Sequence, residues 1–255
     1  MAANKPAIIA LAGKGGVGKT SLSALFVRIL SETYTDKKIL AIDADPAIGL
    51  STALGIEIFS TVDDIRKSFI STVEEENTKA AVELLGEAKF QMLDALIEKD
   101  NISFLAIGRP ETAGCYCKVN AYLKEIISMF SDNYDYVVID GEAGIEQVNR
   151  RVMEKVTDLV LVSDCSKKGI QVIQTIHKVA KDLVMFDRAA AVINRVPENL
   201  SFDNPDLNDL PVISLISDDK DMLMTDINGD NIFGLKRESA IYKGAREALK
   251  NLEMI

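Results

Sequence analysis

Gly13-Lys14-Gly15-Gly16-Val17-Gly18-Lys19-Thr20 is the stretch that decides the fold. It follows the apolar segment Ala7–Ala12 and opens into a helix-compatible stretch that begins at Ser21. A short buried strand, a glycine-rich turn and a helix make up the local structure that a phosphate-binding loop requires. The glycines let successive backbone N–H groups turn inward around an anion, and the helix N-terminus adds partial positive charge. The sequence therefore predicts that residues 13–21 bind the phosphates of a nucleotide.

The lysines and the threonine of this loop have separate predicted roles. Lys19 is placed to reach the β- and γ-phosphates, and the Thr20 hydroxyl is placed to bind Mg²⁺. Lys14 is an additional lysine directly after the first glycine. With it, the loop resembles the deviant Walker A motif, GKGGVGK, of the superfamily of MinD, ParA, the arsenite-pump ATPase and the nitrogenase iron protein. The resemblance implies ATP as the ligand and a homodimer in which Lys14 reaches the partner's nucleotide. The alternative is a solvated lysine on a turn.

The composition fits an enzyme of this kind. The chain has 255 residues and a net charge of −10, which argues against binding to nucleic acid or to an anionic membrane surface. No apolar run approaches the roughly 20 residues of a membrane-spanning helix, and no signal peptide fits the N-terminus. We therefore expect a cytoplasmic protein. Three cysteines without a secretory signal argue against a disulfide framework.

Apolar strands alternate with helical segments along the whole chain. The strand candidates are Ile8–Ala12, Ile39–Asp43, Phe104–Gly108, Tyr136–Asp140, Leu159–Ser163, Ala190–Asn194 and Val212–Ile216. The main helical candidates are Ser21–Ser31, Val119–Met129, Ile145–Val156 and Ile170–Phe186, and the charged segment Ile56–Lys99 is also expected to be helical. This alternation predicts an α/β fold, with a mainly parallel twisted sheet covered by helices on both faces. No domain boundary is visible, so residues 1–255 are predicted to form one P-loop ATPase domain.

Two aspartates follow the second predicted strand, in Ile42-Asp43-Ala44-Asp45-Pro46. Ligands of open α/β sheets lie outside the carboxyl ends of the strands. A pair of carboxylates there can hold Mg²⁺ through water and orient an attacking water molecule. The superfamily resemblance assigns this stretch to switch I, with Asp45 activating water and Asp43 near the metal. The alternative is that both aspartates form a turn or cap the next helix.

The strand Tyr136–Asp140 resembles a Walker B strand that runs into switch II. Asp140 would then support the Mg²⁺ ion, and Gly141 and Gly144 would allow a mobile turn. Many relatives carry a DTPAG-like sequence here, whereas this chain has Asp-Gly-Glu-Ala-Gly-Ile-Glu from Asp140 onward. That departure indicates a separate branch of the superfamily.

Cys115 and Cys117 point to the same branch. Cysteines at i and i+2 of an extended segment face the same side, so both sulfur atoms can bind one metal ion. Two thiolates are half of a tetrahedral Cys₄ site, and a symmetric dimer would complete it at the axis. We expect Zn²⁺ or Ni²⁺ there rather than an iron–sulfur cluster, which stays possible. The alternative is a pair of small core cysteines.

The GKGGVGKT, DADP, CYC and DGEAGIE elements occur in this order and together resemble the CooC-type ATPases. The resemblance implies a nickel-insertion factor whose client is carbon monoxide dehydrogenase or acetyl-CoA synthase. Two alternatives stay open. One is a positioning switch like MinD or ParA, which the acidic charge and the lack of a basic helix disfavour. The other is an iron–sulfur electron donor like the nitrogenase iron protein.

Three further residues carry weaker predictions. Asn194 ends a strand, where the superfamily resemblance implies contact with the adenine edge, and a turn asparagine is the alternative. Cys165 is expected to be an inert buried thiol. His177, the only histidine of the chain, is expected to be a surface or packed helix residue. The amphipathic segment Ser239–Leu252 is predicted to pack on the sheet rather than on a membrane.

Overall fold

The protein is described from a computed structural model. The model describes residues 5–75, 80–108, 117–142, 155–183, 185–198 and 209–255, together with Val152 and Leu207.

The centre of the fold is an eight-stranded sheet in the order β3-β4-β2-β5-β1-β6-β7-β8. The strands are β1 (Ala7–Gly13), β2 (Ile39–Asp43), β3 (Ile97–Lys99), β4 (Ile102–Ala106), β5 (Tyr136–Asp140), β6 (Lys155–Asp164), β7 (Met185–Val196) and β8 (Val212–Ser217). All neighbours are parallel except β3 and β4, which are antiparallel. The carboxyl ends of the parallel strands therefore meet at one edge of the sheet, and β1, which leads into the glycine-rich loop, lies near its middle.

Helices cover both faces of the sheet. They are α1 (Lys19–Thr33), α2 (Gly49–Leu54), α3 (Val62–Glu75), α4 (Ala80–Ala95), α5 (Cys117–Ser131), α6 (Lys167–Leu183), α7 (Lys220–Asn228) and α8 (Ala240–Asn251). Alternate residues of each strand point to opposite faces. Ile9 and Leu11 of β1 pack with the core of α1, α2 and α8, whereas Ala10 and Ala12 pack with the core of α3 to α6. The predicted α/β fold with a covered parallel sheet is confirmed.

Three segment predictions need correction. The segment 56–99 is predicted to be helical, but its last three residues form β3, which pairs with β4 at the sheet edge. The predicted helix 170–186 ends at Leu183, and Phe186 lies in β7. The predicted helix 145–156 falls mostly outside the described residues, and its last residue, Val156, belongs to β6. Phe186 and Val156 are register partners, so pairing between β6 and β7 overrides the local helical pattern.

The C-terminal helix packs as its sequence predicts. Ser239 caps α8 through a bond from the Tyr242 N–H to its hydroxyl, and Ile241, Ala245 and Leu249 are buried in the core. In the part of the chain that the structure describes, every helix is too short or too polar to cross a bilayer.

Arg28 joins α1 to the C-terminal part of the chain. Its guanidinium is buried and donates from Nη1 to the carbonyls of Ile232 and Leu235, each at 2.7 Å. The same group lies 5.0 Å from the centre of the Tyr242 ring of α8, within the range of a cation–π interaction. Glu32, one turn further along α1, accepts from Arg28 Nε at 2.7 Å. The helix that starts at the glycine-rich loop is thus joined to α8 by a buried cation.

Candidate nucleotide-binding site

The glycine-rich loop has the backbone that an anion cradle requires. Gly13, Gly16 and Gly18 all have positive φ angles, of 140°, 76° and 92°. A Cβ atom on Gly13 would lie 2.1 Å from the carbonyl oxygen of Val162, so β6 leaves room only for glycine there. Helix α1 begins directly after Gly18, and no side chain caps its N-terminus. Its first N–H groups are therefore available to phosphate oxygens.

The two lysines of the loop point in different directions. Lys19 is buried, and its Nζ donates to the carbonyl of Lys14 at 3.2 Å, so the ammonium lies across the loop. Lys14 Nζ instead forms a 2.5 Å ion pair with Oδ2 of Asp164, at the end of β6. Burial works to raise the pKa of Asp164, but the Lys14 ammonium and the Ser166 hydroxyl outweigh it and lower that pKa. The structure therefore pairs Lys14 within its own chain.

Two buried carboxylates lie below the loop. Asp43 ends β2 and Asp140 ends β5, and the two residues are register partners. Asp43 is fully buried and accepts from the backbone N–H groups of Leu50, at 2.8 Å, and Asp45, at 3.1 Å. Burial, followed by the charge of Asp140, raises the pKa of Asp43 to about 7. Burial and mutual repulsion thus both disfavour the charged forms of this pair.

The Asp140 carboxylate is suited to help hold a magnesium ion. Its Oδ1 accepts from Ser23 Oγ at 2.9 Å, and the Thr20 hydroxyl lies near enough to favour the charged carboxylate. Its Oδ2 is buried and has no hydrogen-bond partner among the residues that the structure describes. Burial raises the pKa of Asp140 to about 6, although both hydroxyls and Lys19 work against the shift. A hard cation with oxygen ligands satisfies such an orphaned carboxylate oxygen, so these residues fit Mg²⁺.

Asp45 follows the strand end and is half-exposed. Its Oδ1 accepts from the Ala47 N–H at 2.9 Å, which makes it the start of the turn into α2. The other carboxylate oxygen has no hydrogen bond to a described residue. The side chain can therefore form the turn and still contact a water molecule, so the two roles predicted for Asp45 do not exclude each other.

Asn194 contacts the loop itself. The residue is almost fully buried, and its Nδ2 donates to the carbonyl of Val17 at 2.8 Å. Its Oδ1 accepts from the Arg195 N–H at 2.9 Å. A cavity of about 420 Å³ lies beside it, lined by Gly18, Ser21, Asn194, Arg195 and residues of α7 that include Met222. The cavity adjoins the phosphate loop and suits a nucleoside, while both polar atoms of the Asn194 amide are engaged by backbone. Contact between Asn194 and adenine stays a prediction.

The Cys-x-Cys motif lies at the limit of the described chain. Cys115 falls outside the described residues, and Cys117 is the first residue of α5. The extended backbone expected for the pair therefore does not continue through Cys117. Cys165 is a free, half-buried thiol next to the core rather than a fully buried one. Within the described ranges, no group of three or more His, Cys, Asp or Glu side chains is arranged to hold a metal ion.

The sequence did not predict two residues of this site. Asp164 ends β6 at the same sheet edge as Asp43 and Asp140, and that position after an apolar strand was the available signal. Ser23 lies one helical turn after Lys19 and so shares its face of α1. Its hydroxyl reaches Asp140, 117 residues away in sequence. Neither partner is visible from local pattern alone.

The loop, the strand-end carboxylates and the parallel sheet define a P-loop nucleotide-binding protein. A family model described as an AAA domain matches residues 6–186, and the chain belongs to that family. An uncharacterized ATP-binding protein of Methanocaldococcus jannaschii is 34% identical over 249 residues, which cover 96% of this chain and 98% of the relative. The carbon monoxide dehydrogenase accessory protein CooC of Rhodospirillum rubrum is 30% identical over 186 residues, 69% of each chain.

The fold is that of MinD and ParA. The septum site-determining protein MinD of Pyrococcus horikoshii, in complex with Mg-ADP, superposes with a TM-score of 0.70 at 21% identity. The aligned part covers 97% of this chain and 96% of that structure. The predicted superfamily is therefore confirmed at the level of fold and family.

Proposed function

We propose that this protein hydrolyses Mg-ATP as a homodimer whose assembly depends on the bound nucleotide. The observation that carries the proposal is the buried, unpartnered Oδ2 of Asp140 beneath an uncapped helix N-terminus. Thr20, together with Asp43 and Asp140, directly or through water, would hold Mg²⁺. When bound, the ion neutralises charge on the β- and γ-phosphates. The loop N–H groups and Lys19 hold the phosphate oxygens.

The protein supplies the remaining parts of the reaction. Asp45, at the end of β2, accepts a hydrogen bond from the attacking water and orients it toward the γ-phosphate. Lys14 leaves Asp164 and contacts the nucleotide of the second subunit. Hydrolysis removes the γ-phosphate that both subunits contact, and the dimer then opens.

The proposed cargo of this cycle is a soft metal ion. Cys115 and Cys117 of each chain would supply two thiolates, so two chains complete a tetrahedral site for Ni²⁺ or Zn²⁺. We propose nickel-dependent carbon monoxide dehydrogenase or acetyl-CoA synthase as the client, and the support for the former is similarity to the carbon monoxide dehydrogenase accessory protein CooC. ATP and metal would then bind the same closed dimer, so each must raise the affinity for the other.

A positioning switch is the second candidate, and similarity in fold to MinD favours it. Such a protein uses the same ATP-dependent dimer but carries no metal. Native mass spectrometry under anaerobic conditions, with Ni²⁺ or Zn²⁺ and with or without a non-hydrolysable ATP analogue, separates the two. The metallochaperone predicts one metal ion per two chains and a metal-dependent dimer without nucleotide.

Cysteine variants make this experiment decisive. The Cys115→Ser, Cys117→Ser double variant should lose the metal and keep nucleotide binding, and the matched control Cys165→Ser should keep both. Wild-type metal content in the double variant rejects the thiolate site and leaves the positioning switch. One metal ion per chain rejects the shared site. A brown protein with four iron atoms per dimer identifies the iron–sulfur alternative instead.

A further inference from the structure

The outer edge of β8 carries no further strand in the part of the chain that the structure describes. β8 is the last strand of the sheet and pairs only with β7 in the described structure. The Ile213 carbonyl points away from β7, because it accepts from Asn251 Nδ2 at 2.7 Å. At the other end of β8, the Asp218 N–H donates to the Val196 carbonyl of β7 at 3.1 Å, so the carbonyl of Ser217 in the same peptide points outward. Backbone groups two residues apart in a strand point to the same side, so those of Leu215 also face outward. Such an edge is a template for a further strand.

A groove of about 520 Å³ runs between this edge and α8. The helix packs closely on the strand beside it, because a Cβ atom on Gly244 would lie only 2.4 Å from Cγ1 of Ile216. Leu215 lies in the groove with 40% of its surface exposed. The groove thus combines unpaired backbone groups with an accessible apolar side chain.

The helix side of the groove is basic. Lys243, Arg246 and Lys250 lie at i, i+3 and i+7 of α8, which places them on one exposed face. None of the three has an ion-pair partner among the residues that the structure describes. Glu247, the acidic residue of the groove, accepts a hydrogen bond from Ser214 Oγ at 2.9 Å. A local excess of positive charge therefore borders the strand edge in a chain whose net charge is −10.

We propose that this edge binds an extended acidic segment of a partner protein by strand addition. Leu215 and Ser217 would exchange backbone hydrogen bonds with the segment, and the basic face of α8 would contact its Asp or Glu side chains. Charge selects this occupant over a second copy of the chain, because symmetric pairing of two β8 edges would bring two basic helices together. β8 lies three strands from β1, about 14 Å away, so this edge is separate from the phosphate loop and can be tested without nucleotide.

Fluorescence anisotropy with designed peptides tests the proposal on the intact protein. The probe is a fluorescein-labelled eight-residue peptide in which Val alternates with Glu. One control peptide has Lys in place of Glu, and a second keeps the sequence but has N-methylated Val residues, which cannot donate ladder hydrogen bonds. We expect saturable binding of the acidic probe and at least tenfold weaker binding of both controls.

A pair of charge-matched variants completes the test. K243E/R246E/K250E should weaken binding of the acidic probe at least tenfold, whereas K167E/K168E/K178E, with the same net charge on exposed residues of α6, should bind within twofold of wild type. Absence of binding, equal loss in both variants, or equal binding of the N-methylated peptide each overturns the proposal. Sedimentation of the nucleotide-free protein provides one more contradicting outcome. If the protein forms a dimer that excludes the probe, and the α8 variant does not form it, a second copy of the chain occupies the edge and the proposal is wrong.

Discussion

Lys14 and Asp164 form an ion pair of 2.5 Å that joins the end of β1 to the end of β6. Asp164 Oδ1 accepts at the same time from the N–H and the hydroxyl of Ser166, so the carboxylate is fixed in place. A lysine held in this way cannot contact a second subunit until the pair breaks. The proposed dimerisation therefore competes with this contact.

Asp164→Asn tests that competition. The amide keeps the acceptor for Ser166 but removes the charge, so Lys14 is released. A partly exposed ion pair contributes at most about 1 kcal/mol, so dimerisation should need up to about fivefold less ATP analogue than in wild type. Sedimentation across an analogue titration measures the shift. Lys14→Gln should raise the concentration of ATP analogue at which half of the protein is dimeric. If that concentration is unchanged in both variants, Lys14 is a solvated turn residue and does not act across the interface.

Asp45→Asn separates binding from turnover. The asparagine retains the oxygen that accepts from Ala47, so the turn into α2 is preserved, but it cannot take a proton or orient water as a carboxylate does. Turnover should fall at least about a hundredfold while the Kd for ATP stays within about threefold. Lys19→Ala is the contrasting variant and should weaken ATP binding itself. Wild-type hydrolysis by Asp45→Asn would contradict the switch I assignment.

Asp140→Asn should stabilise the metal-free protein. The carboxylate is buried with one unpartnered oxygen and a pKa raised to about 6, so at pH 7 its charge is held at a cost. Removing the charge should raise the free energy of unfolding by about 1–2 kcal/mol and abolish the stabilisation by Mg-ATP. Thermal unfolding with and without Mg-ATP measures both effects.

Asp158→Asn is the matched control for that substitution. Asp158 is equally buried but is paired with Arg188 Nε at 2.8 Å and accepts from the Thr157 hydroxyl. The same substitution there should destabilise the protein. Destabilisation by both variants would mean that the metal-free fold needs the charged Asp140 carboxylate, which contradicts its proposed role as a metal support.

His177 should make stability depend on pH below 6.5. It is buried against Phe186, and burial together with the nearby Lys181 lowers its pKa, although Asp209 acts in the opposite direction. The unfolded chain therefore binds the proton more readily, and stability is lost as the pH falls from 6.5 through the folded pKa. Urea unfolding at pH 7.5 and 5.5 should show a smaller difference in His177→Gln than in wild type. The other titrating groups are common to both proteins, so an equal difference would contradict the effect.

Local chemistry explains which parts of the site the sequence predicts. The loop can be predicted from the sequence because its glycines are needed for backbone angles that other residues avoid. Asp43 and Asp140 can be predicted because each ends an apolar strand. The Lys14–Asp164 pair spans 150 residues and depends on β6 lying next to β1, which no local pattern encodes. The hydrogen bond from Asn194 Nδ2 to the Val17 carbonyl likewise joins residues that are far apart in the sequence.

In the fold, too, the elements set by local sequence were predicted, and those set by strand pairing were not. β2 and β5 have the predicted boundaries because their apolar runs end at charged residues. β3 has three residues, of which two are exposed, so neither length nor periodicity distinguishes it from the end of a helix. β6 and β7 are longer than predicted because each provides the other with hydrogen-bond partners beyond its own apolar segment.

Through the buried guanidinium of Arg28, α1 connects the glycine-rich loop at its N-terminus with α8. Arg28 lies about two and a half helical turns, or about 14 Å, from Lys19 at the phosphate end of the same helix. A tilt of α1 upon a change of nucleotide would be transmitted as a rigid displacement to Tyr242 and so to α8. The first and last helices of the chain are therefore joined as one packed unit through the Arg28 side chain.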